Sequence, residues 1–156
     1  MNDPRLYDRD WIARHIPHKG DMCLLDGVEA CDEAGIRCRA TSHRRADHPL
    51  RHAGRLGVAV GVEYAAQAMA VHGAILQPDA ATPSVGFLAS VRGIELMTDR
   101  LDTVEAPLWV DAHRLSGNES TILYRFEVSA AGRCLLSGRA AVIVSPKLPE
   151  LLGAHA

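Results

Sequence analysis

The sequence predicts an α+β domain in which an antiparallel sheet wraps around one long helix spanning about residues 57–76. Two observations carry that expectation. The stretch GVAVGVEYAAQAMAVHGAIL lies inside a run, 56–91, with no lysine or arginine and with Glu63 and Asp79 as its only acids. Leu, Ala, Met and Gln favour helix, and no proline interrupts the run before Pro78. A helix with no charged face must be covered by protein around most of its circumference. Its small residues (Gly61, Ala65, Ala66, Ala68, Ala70, Gly73, Ala74) let surrounding backbone come close. The second observation is period-two alternation in the flanking segments, the signature of half-buried strands.

The elements follow in order. Asp8 or Asp10 can cap a short helix through Trp11 and Ile12 that Pro17 ends. A turn over 17–21 then leads into an apolar strand over 22–30. GIRCRATSH places Ile36, Cys38, Ala40 and Ser42 on one face and Arg37, Arg39, Thr41 and His43 on the other. Residues 44–56 read as an irregular polar loop. After the helix, SVGFLASVRGIELM is a long strand whose alternation slips at Arg92-Gly93, a bulge or bend. LWVDAHRL is the next strand, with a turn at Ser116-Gly117-Asn118. STILYRFEVSA points Ile122, Tyr124, Phe126 and Val128 inward, and Ala131-Gly132 turns the chain into a last strand. The domain core covers about 10–145, and 146–156 reads as a tail.

Composition narrows the function classes. The chain has 156 residues, one domain's worth, with 17 Lys plus Arg against 19 Asp plus Glu and a formal charge of −2. No large basic field exists, so nucleic acid is not the expected partner. Arg44, Arg45, Arg51 and Arg55 form a local basic stretch, read as a solvated loop ahead of an anion-binding one. The N-terminus is polar, and Glu63, Tyr64, Gln67 and His72 make the central run a poor membrane span. The expectation is a soluble, cytoplasmic protein. Cys23, Cys31, Cys38 and Cys134 form no CxxC pair and fit reduced thiols better than disulfides or a zinc site.

The chemistry centres on Glu63. A carboxylate inside an apolar helix is costly unless paired or used. Gln67, four residues on, shares its face. The bland reading of Glu63 is an ion pair with Arg92 or Arg139 of the wrapping sheet. The functional reading is a carboxyl poised for proton transfer, its anion favoured by the helix N-terminus and disfavoured by burial. His72 falls on the opposite helix face and reads as a core histidine. His48 and His52 have an HxxxH spacing, but Pro49 and the lack of a third ligand argue against zinc.

Three segments in order resemble the hotdog-fold 3-hydroxyacyl-[acyl-carrier-protein] dehydratases, most closely those of aryl-polyene-type pigment gene clusters. PHKGDMCLLDGV resembles the family's entry segment, GVEYAAQAMA its central-helix motif, and GFLASVRGIEL the long strand after the helix. The resemblance implies that Glu63 handles the proton at the leaving hydroxyl while a histidine removes the α-proton beside the thioester. It implies substrates carried on acyl carrier protein and no cofactor or metal. It also implies a site between subunits, in a homodimer or a heterodimer with a second hotdog subunit. The common His-Phe-Pro-Gly element, fourteen residues before the acid, is missing; that count lands on Pro49. His18 matches the entry motif residue for residue, and His48 and His52 flank the missing position, so three bases stay open. Helix-start amides at Gly57 and Val58 are the expected partners of the thioester carbonyl, with Gln67 supporting Glu63 or substrate. Two rival readings share the fold: an acyl thioesterase in which Glu63 activates water, and a non-catalytic subunit of a heterodimeric dehydratase.

Overall fold

A computed structural model of the chain describes residues 7–78 and 85–145. Helix α1 is Arg9–His15, capped by Asp8, whose Oδ1 accepts the Trp11 N–H at 2.9 Å. Strands β1 (Gly27–Asp32) and β2 (Gly35–Ala40) precede the central helix α2 (Gly61–Leu76). Strands β3 (Val85–Leu96), β4 (Leu108–Gly117), β5 (Thr121–Ala130) and β6 (Arg133–Ser145) follow it. The six form one antiparallel sheet in the order β1-β2-β4-β5-β6-β3. The sheet curls around α2, as the sequence predicts.

Three local expectations change. The first strand begins at Gly27 rather than at residue 22. Gly20, at φ 58, turns the chain into a 3-10 turn over Gly20–Met22, and the next residues to be buried are Cys23, Leu24 and Leu25 in succession. Adjacent side chains that are all buried do not belong to a one-sided strand. The second change is that α2 starts at Gly61, because Val58–Val60 is a 3-10 turn. Glu63 therefore lies in the first helical turn. The third concerns β2: Ile36, Cys38 and Ala40 are buried as expected, but a 3-10 turn over Ser42–Arg44 sends both Ser42 and His43 inward.

The bulge expected at Arg92-Gly93 is present, with Gly93 at φ 61 and the β3–β6 register shifting between Arg92 and Glu95. Ala131 and Gly132 both take positive φ, as the tight β5–β6 turn requires. Tyr124, Phe126 and Val128 face α2 from β5. Although 58–76 has the length and composition of a membrane span, its helix is the core of this sheet.

His72 anchors α2 to the sheet with both ring nitrogens: Nδ1 accepts from Tyr124 Oη at 2.8 Å, and Nε2–H donates to the Asp32 carbonyl at 2.7 Å. His43 and His48 are also buried, and desolvation pushes all three imidazoles below the ordinary value of 6.5. The folded state therefore resists protons that the unfolded chain takes up below 6.5, so stability falls as pH drops through that value. The thermal midpoint is expected to decline between neutral pH and the onset of carboxyl titration; a flat midpoint there would contradict three neutral buried imidazoles.

Candidate active site

The entry segment and the first two turns of α2 are locked together by Gln67. Its side chain is fully buried. Oε1 accepts the Leu24 N–H at 2.9 Å, and Nε2 donates to the Met22 carbonyl at 2.7 Å. The same Nε2 lies 3.3 Å from Glu63 Oε1. Gln67 thus clamps backbone and supports Glu63, and its burial removes it as a direct contact to substrate.

Clamping the entry segment brings His18 to Glu63. His18 Nε2 stands 3.0 Å from Glu63 Oε1, with the side chains 26% and 34% exposed. Two donors on one carboxylate oxygen favour the anion. The bond from His18 first, then that from Gln67, holds the Glu63 carboxyl below the ordinary 4.5 against the upward push of burial. Arg92 and Arg139 take no part; they sit in register with Arg125, on the sheet face turned away from α2. His18 Nδ1 is buried and has no partner among the described residues.

The helix face that carries Glu63 continues as Ala66, Ala70 and Gly73, all only partly covered. It is the side that the chain's own sheet leaves open.

The other two histidines do not join this pair. His48 is buried rather than solvated: its Nδ1 accepts the Leu50 N–H and its Nε2–H donates to Tyr64 Oη, both at 3.1 Å. Tyr64 O–H in turn donates to Ser42 Oγ at 2.7 Å, and Ser42 donates to the Leu24 carbonyl at 2.8 Å. Every nitrogen of His48 is engaged, which leaves no lone pair for an α-proton. His52 is exposed in a tight turn, its backbone bonded to Arg55 across Ala53 and Gly54, both at positive φ.

The expected carbonyl-binding amides fare unequally. Val58 N–H is spent on the Asp99 carbonyl at 3.1 Å, because residues 56–58 pair with 99–101. Gly57 is exposed, with open space beside its Cα and no acceptor for its N–H among the described residues. Asp102 fixes this segment by accepting the Leu56 N–H at 3.0 Å while bound by Arg100 and, at 3.6 Å, Arg51. Within the basic stretch Arg51 is structural and braces Asp102, while Arg44 and Arg55 are exposed and Arg45 pairs at the surface with Asp21 and Asp47.

Sequence reasoning missed Tyr64, Asp99 and Asp102. Tyr64 sits inside an apolar run with nothing to mark its hydroxyl as used. The two aspartates lie in a loop some forty residues from their partners. Tyr64→Phe should leave the buried His48 N–H unpaired and cost about 1–3 kcal/mol, measured by denaturant unfolding; an unchanged midpoint would show that the network contributes nothing.

The family model described as ApeP-like, ApeP dehydratase, matches residues 11–153. Among solved structures, the dehydratase heterocomplex ApeI:P from Xenorhabdus doucetiae superposes with a TM-score of 0.79 at 22% identity, covering 99% of this chain and 98% of that one. A mutant of the thioesterase SAV0944 from Staphylococcus aureus subsp. aureus Mu50 matches with TM-score 0.57 and 10% identity over 76% of this chain and 92% of that one. A mutant of the thioesterase PA1618 from Pseudomonas aeruginosa gives 0.51 and 18% over 76% and 79%. At these identities the structures share the fold and nothing finer. No curated protein matches the chain.

Proposed function

The chain belongs to the ApeP-like dehydratase family, and from that membership we propose that it dehydrates 3-hydroxyacyl thioesters borne on acyl carrier protein, in an aryl-polyene-type pathway of the cytoplasm. The observation that carries this reading is the His18–Glu63 contact at 3.0 Å on the partly open face of α2. With one proton on Nδ1, the pair shares a further proton between Nε2 and Oε1. When that proton rests on Glu63, its Oε1–H donates to His18 Nε2; substrate entering between the two side chains replaces that contact, which frees the Nε2 lone pair and leaves Glu63 an acid. His18 then takes the C2 proton, the C3–O bond breaks, and Glu63 gives its proton to the departing hydroxyl, which leaves as water. The Glu63 proton is restored from His18, so the pair ends as it began. Gly57 N–H, a helix-start donor with no acceptor among the described residues, is suited to the charge that develops on the thioester oxygen.

A second hotdog subunit belongs to this reading. The start of the β1 edge is covered by its own chain, through the Val28 N–H to Tyr7 carbonyl bond and the Asp8–Gly27 bridge. Strand β3 pairs only with β6 among the described residues. Leu88 and Leu96 stand in register with the inward positions Val142 and Leu136, yet are 41% and 53% exposed. An open edge with apolar side chains on its concave side suits sheet-to-sheet pairing. The similar ApeI:P dehydratase is a heterocomplex, and a heterodimer is the pairing proposed here.

Leu88→Asp with Leu96→Asp should abolish co-purification with the partner subunit while leaving far-ultraviolet circular dichroism intact; retained pairing would place the interface elsewhere. In the reconstituted complex, Glu63→Gln or His18→Ala should each lower enoyl formation about 10²–10⁴-fold, with thiol release negligible throughout. Full activity in both variants would make the chain the non-catalytic partner. Free thiol without enoyl product would make it a thioesterase.

A further inference from the structure

The face of the sheet turned away from α2 carries a row of cations that the reaction does not use. Arg92 on β3, Arg139 on β6, Arg125 on β5 and His113 on β4 are direct lateral partners, so all four project from the same side. All are exposed. Like charges placed directly opposite one another destabilise a sheet. Here three arginines stand in succession, and among the described residues none has a carboxylate within salt-bridge distance. The Arg139 guanidinium lies over the bulge at Gly93, where a Cβ would be in ordinary contact with it at 3.7 Å from Nη2.

One step along the strands, the next lateral row is apolar. Ala141 and Leu123 are partners, Ser90 completes the row on β3, and Leu115 is extruded at the β4 bulge. Beyond them come Phe87 and Ile143. Leu115, Leu123, Phe87 and Ile143 are 47%, 42%, 42% and 45% exposed. Ser90, Arg92, Leu115, Leu123, Arg139 and Ala141 line a groove of about 330 Å³ between the two rows. On the far side of the cations, Glu95, Glu127 and Asp111 form an acidic row.

We infer that this face docks an acidic amphipathic helix of a partner protein, lying across the strands with its carboxylate stripe on Arg92, Arg139 and Arg125 and its apolar stripe in the groove. Dimensions favour this occupant. Neighbouring strands are about 4.8 Å apart, and residues three or four apart on a helix are separated by about 4.5–6 Å along its axis. Successive carboxylates on one helical stripe therefore meet successive arginines. The acidic row makes the face directional and disfavours a broad polyanion, for which a uniformly basic surface is needed. Docking here is independent of the reaction assigned to His18 and Glu63.

The test uses the full chain and a helix-stapled peptide with glutamates along one stripe and leucines along the next, beside the same peptide with glutamines for glutamates. The glutamate peptide should bind saturably, weaken as salt is raised, and lose about tenfold in affinity in Arg92→Ser/Arg125→Ser/Arg139→Ser, the size expected of three exposed ion pairs together. The corresponding Arg→Lys variant should keep most of the binding, and Glu63→Gln all of it. Because the three side chains are exposed and repel one another, the serine variant should melt at or above the temperature of the wild type. No saturable binding, equal affinity for the glutamine peptide, or equal binding by the serine variant would overturn the inference. So would binding to anionic phospholipid vesicles without binding to the peptide, which would make the face a lipid-surface site.

Discussion

The arrangement rests on the side-chain amide of Gln67. A buried amide is costly unless each of its polar atoms finds a partner, and here the partners are the backbone of Met22 and Leu24 and the carboxylate of Glu63. Satisfying one side chain therefore fixes an entry loop that has little regular structure of its own. His18 lies only a few residues before the clamped backbone, and its meeting with Glu63 follows from that anchorage. The Ser42–Tyr64–His48 chain holds the same loop from its other side, through the Leu24 carbonyl. Between them, Gln67 and Tyr64 tie residues 22–24 to adjacent faces of α2.

The start of α2 is fixed by a different device. Residues 56–58 run beside 99–101, and Asp102 collects the Leu56 N–H together with two arginines. That lateral pairing consumes the Val58 amide and makes the entry to the helix a 3-10 turn. Glu63 is consequently placed in the first turn, where the helix dipole adds to the donors that hold it as an anion. Burial opposes them without prevailing, and the carboxyl stays below its ordinary value, with the His18 bond the largest cause.

Much of this was legible in the sequence, for reasons that differ from element to element. The uncharged run around Glu63 made α2 visible, because a helix without a polar face has to be wrapped. Period-two alternation exposed β2 and β5, and the break in it at Arg92-Gly93 marked the β3 bulge. The Glu63–Gln67 spacing of four put both on one face. Three things stayed hidden. Which histidine meets Glu63 depends on the Gln67 clamp, a contact more than forty residues apart in sequence. His48 looked like a loop residue because its partner, Tyr64, is an aromatic in an apolar stretch. The Val58 amide was read as free because its acceptor, Asp99, belongs to an irregular segment with no pattern to read.

Everything at the site turns on whether the Gln67 clamp holds His18 against Glu63. The most direct measurement is the pair of imidazole nitrogen shifts of His18, by nitrogen-15 NMR, in the wild type and in Gln67→Leu. The wild type should show a single hydrogen-bonded state at Nε2, replaced in the folded variant by the averaged shifts of a free imidazole. Unchanged His18 shifts in a folded Gln67→Leu protein would contradict the clamp, and would mean that the pair holds itself together without it.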